Sequence, residues 1–124
     1  MSGKPITIAG VGGVMMHPRI VEYLKVDGQK IKVGVVPRKI KGGFVGMNME
    51  AARAHHIPSN VPYGEIVVWK PWLGHPTKRH EIIEEHLQRY LRMDYLPAHK
   101  IALKYEETNL SPRQIVRREG LKKR

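Results

Sequence analysis

The chain has 124 residues, no cysteine, 41% apolar residues and a formal net charge of +11. That suits one domain, or one domain with a tail, built without disulfides or thiolate metal sites. No run approaches the ~18–20 apolar residues of a membrane-spanning helix, and the Met-Ser-Gly-Lys-Pro start is not that of a secretory signal. An intracellular protein is therefore expected, cytoplasmic or held in a nucleoprotein particle, with no membrane partner. The charge is segregated. Residues 1–47 carry eight Lys/Arg against two acids (net +6), residues 48–110 eight against eight, and residues 111–124 six against one (net +5). Basic ends around a neutral middle predict a nucleic acid or another polyanion as partner, with a merely solvated surface as the plainer reading.

Taken in order, Ile6-Thr7-Ile8-Ala9-Gly10-Val11 alternates and reads as a short strand ended by Gly12-Gly13. These glycines lack the Gly-Lys-Ser/Thr and Gly-x-Gly-x-x-Gly patterns of phosphate loops, so a bend or bulge is the better reading. Ile20–Val26 and Lys30–Val36 flank Asp27-Gly28, a strong hairpin signal, with Ile31, Val33 and Val35 facing a core and Lys30 and Lys32 facing water. The following loop carries Arg38, Lys39 and Lys41 beside Gly42-Gly43-Phe44. It suits phosphate contacts as well as it suits a solvated connector.

Asn48 caps a short predicted helix that ends at Ile57-Pro58. Its adjacent His55 and His56 face different sides and make a poor metal pair. Glu65–Trp69 is a continuous apolar strand, expected to be central, and Trp69 and Trp72 are expected to anchor the core and wall a site. The Pro-rich link places His75 near the start of the next helix.

That helix, Thr77–Leu91, has Ile82, Ile83, Leu87, Tyr90 and Leu91 at helical spacing, with Thr77 as its predicted cap. His80 and Glu84 are four apart and share one side at the edge of the apolar stripe, and Glu81 is rotated from His80 by about 100°. Met93–Leu96 is the predicted turn. Pro97 then opens a second helix, with Ala98, Ile101, Ala102 and Tyr105 as its stripe and His99 just off it. A short link makes the two helices antiparallel.

The helix with His80-Glu81-Ile82-Ile83-Glu84 resembles the metal-binding helix of zincin metallopeptidases, in which His-Glu-x-x-His supplies two ligands and the intervening Glu is the general base. This chain departs at the fifth position, where Glu84 stands for His, and a carboxylate also binds zinc. The strand, the His-Glu-x-x-Glu helix and the following Ala-His-x-x-Ala helix together resemble small proteins of mobile elements, over residues 64–107. The resemblance implies a Zn2+ or similar ion on His80 and Glu84, Glu81 as catalytic base, and a peptide as substrate. His99 is the candidate third ligand, since zinc hydrolases keep three protein ligands and an open position. The competing reading is an ordinary Glu-rich amphipathic helix in which His80 satisfies neighbouring carboxylates.

Ser111-Pro112-Arg113-Gln114 is a strong helix start and Gly120 a stop. With Arg113, Arg117, Arg118, Lys122, Lys123 and Arg124, residues 111–124 read as a flexible basic arm on a domain of residues 1–110, β-rich over 1–47. The expected fold is α+β: a small, mostly antiparallel sheet with two antiparallel helices on one face and the basic C-terminal helix or arm. Two functions compete, a minimal metal-dependent hydrolase of peptidase type, active or degenerate, and a basic nucleic-acid-binding or structural protein of a virion or ribosome-associated particle.

Overall fold

Residues 5–74 and 76–122 are described by a computed structural model. The Asp27-Gly28 hairpin forms as expected. Strands β3 (Arg19–Val26) and β4 (Gln29–Val36) pair antiparallel. Asp27 at φ 48° and Gly28 at φ 85° supply the two left-handed residues that such a turn needs. Ile31, Val33 and Val35 are buried, and Lys30 and Lys32 are exposed.

The α+β reading is what the fold shows. The main sheet has the order β3-β4-β6-β5, with β5 at Gly46–Met47 and β6 at Glu65–Trp69. β6 is central, as its unbroken apolar run requires, with Ile66, Val67 and Val68 wholly buried. It lies parallel to β4 and antiparallel to β5. The parallel pair was not expected; it arises because residues 37–64 cross from the end of β4 back to its start before β6 begins. The predicted strand Ile6–Val11 shrinks to β1 (Ile8–Ala9), paired with β2 (Met15–Met16) in a separate two-stranded sheet. Residues Val11–Gly13 form a tight turn, with Gly12 and Gly13 at φ 83° and 81°.

Helix α1 (Met49–Ala54) is capped by Asn48, whose side chain accepts from the Ala51 N–H at 2.9 Å. Helix α2 (Pro76–Leu91) begins one residue before Thr77, so Thr77 lies inside the first turn and is not its cap. Nine of the sixteen α2 residues are buried, more than one apolar stripe can account for. Ile83, Leu87 and Leu91 pack on Ala98, Ala102, Tyr105 and Ile115, while Ile82 packs against Ile31, Val33 and Ile66 of the sheet. Tyr90, expected on the apolar face, is exposed.

Helix α3 (Tyr95–Tyr105) starts two residues earlier than Pro97, because Arg92 at φ 56° ends α2 abruptly and the link shrinks to three residues. Side-chain pairs of residue 84 with 99 and 80 with 106 show that α2 and α3 run antiparallel. Helix α4 (Pro112–Glu119) has the expected Ser111–Gln114 capping box and left-handed Gly120. It is not a flexible arm. Ile115 is fully buried in the α2–α3 core, Glu119 binds Lys104 and Tyr105, and the Arg113 N–H donates to Asp27 at 2.6 Å. Propensity alone makes so short a helix marginal, but one apolar residue seated in the core holds it in place. Among the described residues no helix is long and apolar enough to cross a membrane.

Candidate metal centre

One helical turn separates His80 from Glu84 on α2, and His99 reaches them from α3. His99 Nδ1 is 2.7 Å from Glu84 Oε2 and 3.1 Å from His80 Nε2, and His80 Nε2 also contacts Glu84 Oε2. One ligand atom from each residue lies within 4.8 Å of the others, so the three could hold a metal ion. In a tetrahedral site with bonds of about 2.0–2.1 Å, ligand atoms stand about 3.3 Å apart, so a small outward shift of the side chains makes room for a metal ion. The donor set is two imidazoles and one carboxylate. His80 and Glu84 are buried, and His99 is half-buried at the mouth.

The other face of His80 is also fixed. Its Nδ1 is 2.7 Å from Glu106 Oε1, near the end of α3. A carboxylate on the far nitrogen sets ring orientation and leaves Nε2 to point at the other two ligands. Burial alone would lower the His80 pKa, but hydrogen bonds and charge from Glu84 and Glu106 outweigh it and hold it above the ordinary 6.5. Sequence reasoning missed Glu106. It follows His99 by seven residues, two turns along α3, and that spacing was the available signal.

Glu81, Glu84 and His99 line one cleft of about 310 Å³ together with Phe44, Gly46, Met47, Ala51, His55, Tyr95 and Leu96. Glu81 is 5% exposed, and its Oε1 has no partner among the described residues; the same is true of Glu84 Oε1. Burial, and then the charges of Glu84, Glu85 and Glu106, push the Glu81 carboxyl well above the ordinary 4.5. Four carboxylates in a chain of net charge +11 make this a local negative well. Unpaired buried oxygens of that kind are costly unless a cation or proton is supplied.

Gly46 lets edge strand β5 come against α2 at this point. A Cβ there would lie 2.7 Å from Thr77 Cγ2 and 3.0 Å from Glu81 Cγ. On the opposite wall the Tyr95 hydroxyl is 3.0 Å from His55 Nε2 and 3.5 Å from His99 Nδ1. The Phe44 ring packs on His55 with centroids 4.5 Å apart. Burial, then Glu84 and Glu81, push the Tyr95 pKa up to about 12, so its proton stays in place at neutral pH. Tyr95 was read as part of a turn, although its spacing of four from His99 places both on one helix face. No local pattern could have brought Phe44 and His55 from the β-rich half.

Behind the site, Glu85 is fully buried and accepts from the Gly64 N–H at 2.6 Å and from Asn48 Nδ2 at 3.1 Å. Asn48 therefore caps α1 and ties it to α2 at once.

Other expectations land elsewhere. Trp69 and Trp72 are half-buried, 6.4 Å apart between ring centroids, and neither lines the cleft or belongs to the core clusters. His56 is exposed at φ 55°. Arg38, Lys39 and Lys41 are exposed, with Lys39 Nζ 5.1 Å from the Trp69 ring centroid. Arg113, Arg117, Arg118 and Lys122 are exposed, and Arg113 stands beside Asp27 in the β3–β4 turn. His75, Lys123 and Arg124 lie outside the described residues.

No protein-family model matches the chain, and no curated protein and no solved structure shows significant similarity to it.

Proposed function

We propose that the protein is a metal-dependent hydrolase of minimal zincin type, acting on peptides. The observation that carries this reading is the convergence of His80, Glu84 and His99 beside a cleft that Glu81, Glu84 and His99 line. The three residues would hold Zn2+, with Glu106 orienting His80. Bound there, the ion supplies Lewis acidity that polarises a carbonyl and lowers the pKa of water. Glu81 accepts the proton of the attacking water and passes it to the leaving amine. Burial, then the charges of Glu84, Glu85 and Glu106, raise its pKa above that of an ordinary carboxylate and so make it a stronger base. Tyr95 donates its hydroxyl to the oxygen that becomes negative in the tetrahedral intermediate, with His55 holding the hydroxyl in place. Phe44, Met47, Ala51 and Leu96 offer the substrate an apolar wall. The test is hydrolysis of a quenched peptide library by zinc-loaded protein. Cleavage that disappears in Glu81→Gln while zinc stays bound supports the assignment. No cleavage in wild type, or equal cleavage by the variant, removes it.

A second reading, contact with a nucleic acid or another polyanion, rests on exposed basic groups near both ends of β4, Arg38, Lys39 and Lys41 past its end and Arg113 beside its start. Seven steps of about 3.3 Å put them roughly 23 Å apart, so one extended polyanion can touch both. Such contact leaves the cleft open, and the two readings can hold together in a protein of a nucleoprotein particle.

A further inference from the structure

The β3–β4 hairpin has two unlike faces. On one, Leu24, Ile31 and Val33 pack with Ile82 of α2. On the other, Tyr23 stands directly opposite Lys32, and Lys25 directly opposite Lys30. Tyr23 and Lys25 are two apart on β3, as Lys30 and Lys32 are on β4, so all four project from the same side. Opposed Cβ atoms lie about 5 Å apart and the two rows about 7 Å apart, which gathers the four side chains into one patch. Further along this face Val36 and Val67 are buried in one cluster with Ile8, Met16 and Ala52. The hairpin end stays open. Tyr23 is 75% exposed, and all three lysines are exposed. The Tyr23 ring and hydroxyl have no partner among the described residues.

The patch is positive and self-repelling. Like charges directly opposite each other destabilise a sheet, and Lys25 and Lys30 are such a pair. None of the three lysines makes an ion pair among the described residues. The hairpin's own acids are engaged elsewhere, Glu22 with Lys78 at 2.9 Å and Asp27 with the Arg113 N–H at 2.6 Å. Glu65, opposite Lys32 on β6, attracts that lysine but is 1% exposed and presents no carboxylate at the surface. An anionic partner relieves the repulsion, and the bare ring narrows its chemistry. A phosphate ion or an acidic protein surface would meet the lysines and leave Tyr23 uncovered. A duplex keeps its bases stacked on each other. A single strand offers phosphates and free base faces together. We propose that the open face of the β3–β4 hairpin binds single-stranded nucleic acid, with a base stacked on Tyr23 and phosphates on Lys25, Lys30 and Lys32. This rests on the polyanion reading and gives it a path, since Lys30 and Lys32 lie between Arg113 beside the start of β4 and Arg38 past its end. Every base has a flat face, so the contact is tolerant of sequence.

The test is fluorescence anisotropy of a labelled oligothymidine of about a dozen nucleotides, titrated with the full chain in EDTA at several salt concentrations. Neither contact touches the sugar, so a DNA strand is a sufficient probe. Tyr23→Thr keeps a strand-forming residue and removes the ring. It should weaken binding about fivefold or more, while Tyr23→Phe stays within about twofold of wild type. Replacing Lys25, Lys30 and Lys32 together by Gln should lower the slope of log affinity against log salt by about 2, at about 0.7 for each phosphate contact of a single strand. Binding of a duplex of the same length should not respond to Tyr23→Thr. Unchanged binding by Tyr23→Thr, an equal loss in Tyr23→Phe, an unchanged salt slope in the lysine variant, or an equal response of the duplex would each overturn the proposal. Binding that ignores these four residues but weakens when Arg38, Lys39 and Lys41 are reversed in charge would overturn it and leave the polyanion reading standing. No binding by the full chain at low salt would overturn both.

Discussion

Replacing Glu81 by Gln should make the metal-free protein more stable at high pH while removing the proposed general base. The wild-type carboxyl is buried, has one oxygen without a partner, and faces Glu84, Glu85 and Glu106. Its pKa lies above the ordinary 4.5 in the folded state, so the fold prefers it protonated. The stability this contributes is whole below pH 4.5 and is lost as the pH rises through the raised value. Gln keeps the neutral form at every pH and adds N–H donors that can reach the neighbouring carboxylates. Leaving a buried polar group unsatisfied costs about 1–3 kcal/mol. The variant should therefore gain about that much once the pH exceeds the raised value, or roughly 3–12 °C in Tm for a chain of this size, and almost nothing at pH 4. Urea unfolding in EDTA, followed by tryptophan fluorescence across that range, measures it. Saturating zinc should narrow the gap, since the ion offsets the same charge. A difference that does not change with pH, or a variant less stable than wild type at high pH, would refute the reasoning.

Three further outcomes follow from packing and charge. Ile115→Ala should cost about 2–4 kcal/mol in chemical denaturation, because Ile115 is fully buried with Ile83 and Leu87, and removing residues from 111 onward should destabilise the fold more severely. A loss under 1 kcal/mol for Ile115→Ala would mean that α4 is peripheral. Gly46→Ala should cost about 1–3 kcal/mol and lower any hydrolytic rate, since its Cβ would push on Thr77 and Glu81. An unchanged melting curve would remove the close approach of β5. Affinity for single-stranded DNA or RNA should fall steeply with salt, and reversing the charge of Arg38, Lys39 and Lys41 should flatten the slope. A salt-independent affinity would assign these residues to solubility.

Local chemistry made much of the fold legible. Asp27-Gly28 fixes its hairpin, Asn48 and Ser111 cap their helices, and the apolar run of Glu65–Trp69 marks a central strand. The His80–Glu84 spacing and the short link to α3 were enough to anticipate that His99 stands near them. What local patterns could not give were contacts made across long stretches of chain. The parallel pairing of β4 with β6 depends on the path of residues 37–64. The burial of Glu85 and Gln88 depends on Asn48 and Gly64, which no helical wheel contains. Thr77 and Pro97 were misplaced by one or two residues because helices start where tertiary packing lets them, and end signals are local. α4 was read by its charge, and the single buried Ile115 outweighs it. Trp69 and Trp72 were assigned to the core, yet Trp69 is the last residue of β6, Trp72 lies beyond it, and both are half-buried outside the core clusters.

Metal stoichiometry of the purified chain tests the central claim most directly. Protein stripped with chelator and titrated with Zn2+ should take up one ion per chain, measured by elemental analysis after gel filtration. At zinc a hundredfold above Kd, the folded state should gain about 2.7 kcal/mol. Glu84→Ala and His99→Ala should each lose the ion, whereas Glu81→Gln should keep it. Absence of zinc uptake by the wild type, or uptake that survives both ligand substitutions, would contradict a metal centre at His80, Glu84 and His99.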